Sequence, residues 1–283
     1  VSRAPANVDP EELTIVARNT LLDGLEALRD HRSAITVVGA QAVYLRTAGV
    51  GISTAAYTSD GDLGLDPDLL GEEPLLEQAL RGAGFELAKA DQPGLWFRNE
   101  VVGGLPAAIE LDLLMAERFA GKGKRSAKVP PHDKMAIRRV PGLETAVVDR
   151  SLMTITALDG AERSAEAYVA GPVALLVAKA HKIIDRIKGA ESRPDRLTNK
   201  DAGDVYRLFV GFPATEVAAS WSALNSDQRV GEVSTAGLAL LRELFGGPRS
   251  PGTNMAVAAL SGDVPEDRVR QVCRAYVSRL PDA

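Results

Sequence analysis

Residues 58–66 read Thr58-Ser59-Asp60-Gly61-Asp62-Leu63-Gly64-Leu65-Asp66. Alternation of acidic and small or apolar residues predicts a strand here, and in a strand residues i and i+2 share a face. Asp60 and Asp62 therefore stand side by side. Two like charges that close repel, and a divalent cation usually offsets the repulsion. A lone pair of this kind is more often a solvated turn, so the reading turns on the rest of the chain.

A second acidic strand supplies the next observation. Residues 106–114 read Pro-Ala-Ala-Ile-Glu-Leu-Asp-Leu-Leu, which places Glu110 and Asp112 on one face of an otherwise apolar strand. A buried carboxylate is costly unless paired or metal-bound. A solvated edge strand is the alternative, and either Glu110 or Asp112 can serve as a third carboxylate. Oxygen-only ligands select hard ions, so Mg²⁺ or Mn²⁺ is expected in place of zinc.

Outward from these strands the periodicity predicts an α+β order. A helix over 10–30 precedes a strand over 34–38, a helix over 40–49 follows Gly39, and a Gly- and Ser-containing stretch leads to the 58–66 strand. A helix over 72–84, paired strands over 94–102 and 106–114, a Gly/Lys-rich loop over 119–132 and further strands over 135–170 come next. From Gly171-Pro172 the chain turns helical, with helices over 172–188, from Asn199, and over 214–225, 227–246 and 265–280. The expected domains are 1–170 and 171–283.

Composition bounds the function. The chain has 283 residues, a single cysteine (Cys273), three histidines and a formal net charge of −5. One cysteine excludes an intrachain disulfide or a multi-cysteine zinc site, and His31, His132 and His181 are scattered along the sequence. No apolar run approaches the ~20 residues of a membrane span. The first residues carry no signal-like apolar region, so a cytoplasmic protein is expected. Net charge hides position, however. Residues 51–78 hold seven acids and no base, residues 116–140 hold eight bases against two acids, and residues 179–200 hold seven bases against three acids. An acidic block followed by two basic blocks suits a metal site that handles polyanions, although solvated surface is the plainer reading.

The helical half carries a third cluster. Lys179, Lys182 and Arg186 share one helix face, and Asp201 and Asp204 share a face of the next helix. Lys179 follows the apolar run Val173–Ala178, so it points to a cleft or snorkels.

Together these residues resemble the nucleotidyltransferases with the DNA polymerase β-like fold, and within them the AbiEii/AbiGii (MenT-like) toxins. The match runs over residues 34–206. It rests on Gly39-Ala40, on Thr58-Ser59-Asp60-Gly61-Asp62-Leu63, on Asp112, on Lys179 with Arg186 seven residues on, and on Lys200-Asp201 with Asp204 three residues on. Three positions depart: Ala40 lacks a hydroxyl that could hold a phosphate, Gly61 replaces a bulky apolar residue, and the gap from Gly39 to Asp60 is long.

The resemblance implies an α+β fold. Its first part is a nucleotidyltransferase domain with a mixed sheet and flanking helices, and its second a mostly helical C-terminal domain. It also implies a Mg²⁺- or Mn²⁺-dependent toxin that moves NMP from an NTP to an acceptor, the 3′ end of tRNA, and is held in check by a cognate antitoxin. In that scheme Asp60, Asp62 and Asp112 hold metal. Gly39 and Ala40 open the helix that meets the triphosphate. Lys179 pairs with its outer phosphates, Asp201 is a required acid, and Lys182, Arg186 and Lys200 contact the acceptor or support the site. The basic segment 116–140 offers contacts for RNA phosphates. Tyr44, Trp96 and Phe97 either stack on a base or belong to the core; His181 and Cys273 read as structural. Two other readings stay open: a small-molecule (antibiotic) nucleotidyltransferase, and a non-catalytic nucleotide-binding module on the same fold.

Overall fold

The computed structural model describes residues 8–52, 58–89 and 91–282. The N-terminal residues 1–7 and most of the Gly- and Ser-containing stretch, 53–57, lie outside them. The fold is α+β, with one mixed sheet and, among the described residues, nine α-helices. No helix among those residues is long and apolar enough to cross a membrane.

The chain divides into two compact units. The first takes Val1–Ala42, Tyr57–Val140 and Arg150–Ala170; the second takes Val43–Ala56, Pro141–Asp149 and Gly171–Ala283. The expected single cut near 170 thus omits two excursions, and local bonds explain both. The Asp149 carboxylate accepts from Ala174 N at 2.8 Å, which caps the first turn of a helix in the second unit. Arg207, buried in the same unit, donates through Nη1 and Nη2 to Ile52 O at 2.6 Å.

In the first unit the sheet consists of β1 (Ile35–Val38), β2 (Asp60–Leu65), β3 (Glu86–Leu87), β4 (Leu95–Val102), β5 (Leu105–Ala116), β6 (Arg138–Val140), β7 (Arg150–Thr156) and β8 (Ser164–Ala170). The order is β3-β4-β5-β2-β1-β8-β7, and β6 pairs with β5. β2 runs antiparallel to β1 and parallel to β5. Helix α1 (Pro10–Ala27) starts where Asp9 accepts from Glu11 N at 2.9 Å and Pro10 opens the first turn. It buries Ala17, Leu21, Leu22 and Leu25. Helix α2 (Gly39–Arg46) follows β1 directly.

Helix α3 covers only Leu76–Gly82, not 72–84. Two histidines hold the missing turn as a loop. His31 Nε2 bonds Pro74 O at 2.7 Å and His132 Nε2 bonds Gly71 O at 2.9 Å. Leu76 N donates to His132 Nδ1 at 3.3 Å. The two buried rings, 101 positions apart in sequence, meet edge to face with centroids 5.7 Å apart.

The second unit contains α4 (Pro172–Lys188), α5 (Lys200–Gly211), α6 (Ala214–Asn225), α7 (Gly231–Phe245), α8 (Pro251–Ala259) and α9 (Glu266–Val277). Helix α8 is absent from the sequence expectation. Its flank Gly247-Pro248-Arg249-Ser250-Pro251-Gly252 reads as a loop, yet Pro251 is the first helical residue, where a missing N–H costs nothing. Phe209 stacks on Tyr276 at 4.2 Å and meets Phe245 edge-on at 5.7 Å. Cys273 is fully buried, and burial pushes its thiol up to about 12, so it is an inert core group.

Candidate active site

The parallel register of β2 and β5 aligns four carboxylates. Asp60 lies across from Glu110 and Asp62 across from Asp112. Residues directly opposite in a sheet share its face, so the two acidic strands identified separately in the sequence form one cluster. Asp112 is the most enclosed, at 7% exposure; Asp60, Asp62 and Glu110 are half-buried. Thr58 Oγ1 donates to Asp60 Oδ1.

Gly39 borders the cluster. Its φ is +67°, and a Cβ there would lie 1.9 Å from Asp62 Oδ2. Only glycine combines this backbone conformation with that approach. The antiparallel register sets it there, since Val38 is paired with Asp62.

Burial pushes the Asp112 carboxyl well above the usual range. The Arg138 guanidinium pulls it down, and the charges of Asp62, Asp60 and Glu110 raise it again. Arg138 Nη2 donates to Asp112 Oδ2, while Asp112 Oδ1 is buried with no hydrogen bond. Among the described residues no three His, Cys, Asp or Glu side chains form a ready-made metal cage. The donor set nevertheless fits a hard divalent cation: all its ligating atoms are carboxylate oxygens, and one is an orphaned buried oxygen.

The second unit holds its own charged cluster. Lys179 Nζ donates to Asp201 Oδ1 at 2.7 Å and to Asp204 Oδ2 at 2.6 Å. Arg186 Nη1 donates to Asp201 Oδ2 and, at 2.9 Å, to Thr198 Oγ1. Lys182 Nζ lies 3.4 Å from Asp201. Burial opposes the Lys179 charge, but Asp201 and Asp204 more than offset it and hold its pKa above the ordinary value. Burial likewise opposes the Asp201 charge, and Lys179, Lys182 and Arg186 hold that carboxyl well below the usual range. Lys179, at 4% exposure, is thus enclosed by two carboxylates. The accessible cation on this face is Lys182, its side chain 48% exposed. Asp204, fully buried, joins the cluster as a partner of Lys179.

Other expected residues fall as follows. Trp96 and Phe97 are core residues, and Trp96 Nε1 donates to Ala136 O at 3.0 Å, so neither offers a face to a base. Tyr44, partly buried, lies under the Arg207 guanidinium at 5.5 Å. His181 is partly buried, and burial lowers its pKa. Ala40 is buried in the first turn of α2. In the basic segment Lys122, Lys124, Arg125, Lys128 and Lys134 are exposed. Arg139 instead pairs with Glu117 at 2.9 Å, and Arg138 belongs to the carboxylate cluster. No sequence spacing signals the Arg138–Asp112 pair, because it depends on β6 docking beside β5.

The chain matches no protein-family model, and a search of the curated proteins finds no matching relative.

Proposed function

We propose that the chain is a metal-dependent nucleotidyltransferase that moves NMP from an NTP to the 3′ hydroxyl of an RNA, a tRNA end, as the toxin of a toxin–antitoxin pair. The observation that carries this reading is the register that sets Asp60 and Asp62 against Glu110 and Asp112. The resemblance of the motifs supplies the reaction class and the partners.

Asp60, Asp62 and Asp112 would hold Mg²⁺ or Mn²⁺. When bound, such an ion neutralises charge on the attacking and leaving oxygens of an in-line displacement. The acceptor 3′ oxygen bonds to the α-phosphorus, the bond from that phosphorus to the α–β bridging oxygen breaks, and pyrophosphate leaves. The acceptor proton passes to a carboxylate. Asp112, opposite Asp62, is the acid placed for this task, and Glu110, opposite Asp60, is its alternative. Gly39 lets backbone approach the phosphates beside Asp62, at the positive end of α2. In the helical unit, Asp201 fixes Lys182 and Arg186, while Lys179 neutralises the buried acids. Lys179 and Asp201 are therefore positioning residues, Arg186 braces Asp201, and Lys182 is the cation offered to a polyanion.

The exposed lysines and arginine of 122–128 favour an RNA acceptor over a cationic antibiotic. Induction of the chain in cells, followed by sequencing of RNA 3′ ends, tests the reading. Untemplated nucleotides should appear on tRNA ends, and Asp62→Asn should remove them. Unaltered ends after wild-type induction would refute it.

A further inference from the structure

The carboxylate cluster contains a cation of its own. Arg138 reaches Asp112 because β6 pairs with β5 in a parallel register, Leu114 opposite Arg138. Leu114 and Asp112 are two apart on β5 and share a face, so Arg138 emerges on the carboxylate side. A specific backbone device makes room for β6. β4 pairs with β5 only as far as Leu95, and at Gly94 the chain turns with φ +71°. Gly94 N donates to Met135 O and Gly94 O accepts from Leu113 N, both at 2.8 Å. A Cβ at Gly94 would lie 2.2 Å from Arg138 N. The seat of Arg138 is therefore built, not incidental.

The pair is also incomplete. Arginine and carboxylate commonly join through two parallel N–H···O bonds. Here a single nitrogen, Nη2, donates to a single oxygen, Oδ2. Asp112 Oδ1 is buried with no hydrogen bond, and so is Arg138 Nε. The Arg138 side chain is 34% exposed and that of Asp112 10% exposed, so the guanidinium has a way out and the carboxylate does not. A guanidinium that neutralises the most enclosed acid through one bond stabilises the cluster without saturating it.

We propose that Arg138 is the resident counter-cation of this cluster, which occupies Asp112 until a divalent cation displaces it. The inference rests on the metal-dependent reading above. Arg138 and the metal compete for the same oxygens, so metal affinity is set partly by how firmly β6 holds the guanidinium. A divalent ion brings more charge and can use Oδ1 as well, whereas Arg138 uses Oδ2 alone. The competition keeps the buried acid neutralised at all times and makes loading depend on metal concentration.

Mn²⁺ binding, read from the loss of the free-ion paramagnetic resonance signal without nucleotide or RNA, tests this directly. Arg138→Gln should bind Mn²⁺ at least about tenfold more tightly than wild type, about 1.4 kcal/mol at 25 °C. Arg138→Lys, which keeps the charge and the fold should the glutamine variant not fold, should fall between them. Arg139→Gln removes the neighbouring charge, which pairs with Glu117 at 2.9 Å, and should stay within about twofold of wild type, because consecutive strand residues point to opposite faces. If wild type binds Mn²⁺ and Arg138→Gln binds no more tightly, or if Arg139→Gln gains as much, the competition is refuted while the metal-dependent reading stands. If neither wild type nor Arg138→Gln binds Mn²⁺, both fail.

Discussion

Asp62 on β2 lies directly across from Asp112 on β5 in a parallel register, two residues along from the matching pair Asp60 and Glu110. A slip of one residue would turn each acid to the opposite face. Register is therefore what converts two acidic motifs into a site. It is held by apolar neighbours on both strands, since Leu63, Leu111 and Leu113 are all fully buried.

Neutralising these acids should separate activity from stability. Asp60→Asn, Asp62→Asn and Asp112→Asn should each lower nucleotide transfer by about a hundredfold or more, because a metal ligand carries several kcal/mol of transition-state stabilisation. Thermal melting of the metal-free Asp60→Asn and Asp62→Asn proteins should hold or rise, since each change relieves like-charge repulsion. Pyrophosphate release and melting by circular dichroism check the two halves.

The Lys179 cluster should behave in the opposite way. Lys179→Met strands Asp201 and Asp204 as buried charges, and chemical denaturation should show a loss of about 3–5 kcal/mol. Lys179→Met/Asp201→Asn/Asp204→Asn should recover part of that loss. The pH dependence follows from the two shifts. Asp201 is depressed, so its contribution is present above its unfolded pKa of about 4 and is lost as pH falls through its native value. Lys179 is raised, so its contribution is present below about pH 10 and is lost as pH rises through its native value. Between those limits the cluster should contribute a flat plateau, and Lys179→Met should remove it.

Gly39→Ala should damage both the fold and the site. The residue would hold an unfavourable left-handed conformation, at about 1–3 kcal/mol, and its methyl group would collide with Asp62. Chemical denaturation should report that loss, and transfer activity should fall further than stability does.

Replacing Lys122, Lys124, Arg125 and Lys128 together by glutamate should weaken RNA binding uniformly across sequences. The slope of log affinity against log salt should become shallower by about 3, at about 0.7 per contact for a single strand. Fluorescence anisotropy with labelled tRNA at several salt concentrations measures it. Melting should change little, because all four side chains are exposed.

The sequence made local features legible and left pairing out of reach. The period of 172–188 matched α4 to the residue, because an apolar face, an opening Pro172 and a closing Gly189 all agree there. The acids on 58–66 and 106–114 could be placed on strands by alternation alone. Which acids would meet could not, since parallel pairing is a long-range choice that no spacing encodes. The same limit explains Arg138, which looked like one charge among eight, and His31 with His132, which looked scattered. Lys179 differs for another reason. Its position after an apolar run signalled enclosure, but a buried ion pair and a phosphate contact leave the same trace in sequence. The partners Asp201 and Asp204 come from the packing of α4 on α5, which spacing alone does not give.

The paired acids of β2 and β5 are proposed to perform metal-dependent nucleotidyl transfer. Purified protein with Mg²⁺, total tRNA and each of the four NTPs labelled at the α-phosphate tests it most directly. Label is expected in tRNA with at least one NTP, none when Mg²⁺ is chelated, and none with Asp62→Asn. Absence of label with every NTP, or undiminished labelling by Asp62→Asn, would contradict it.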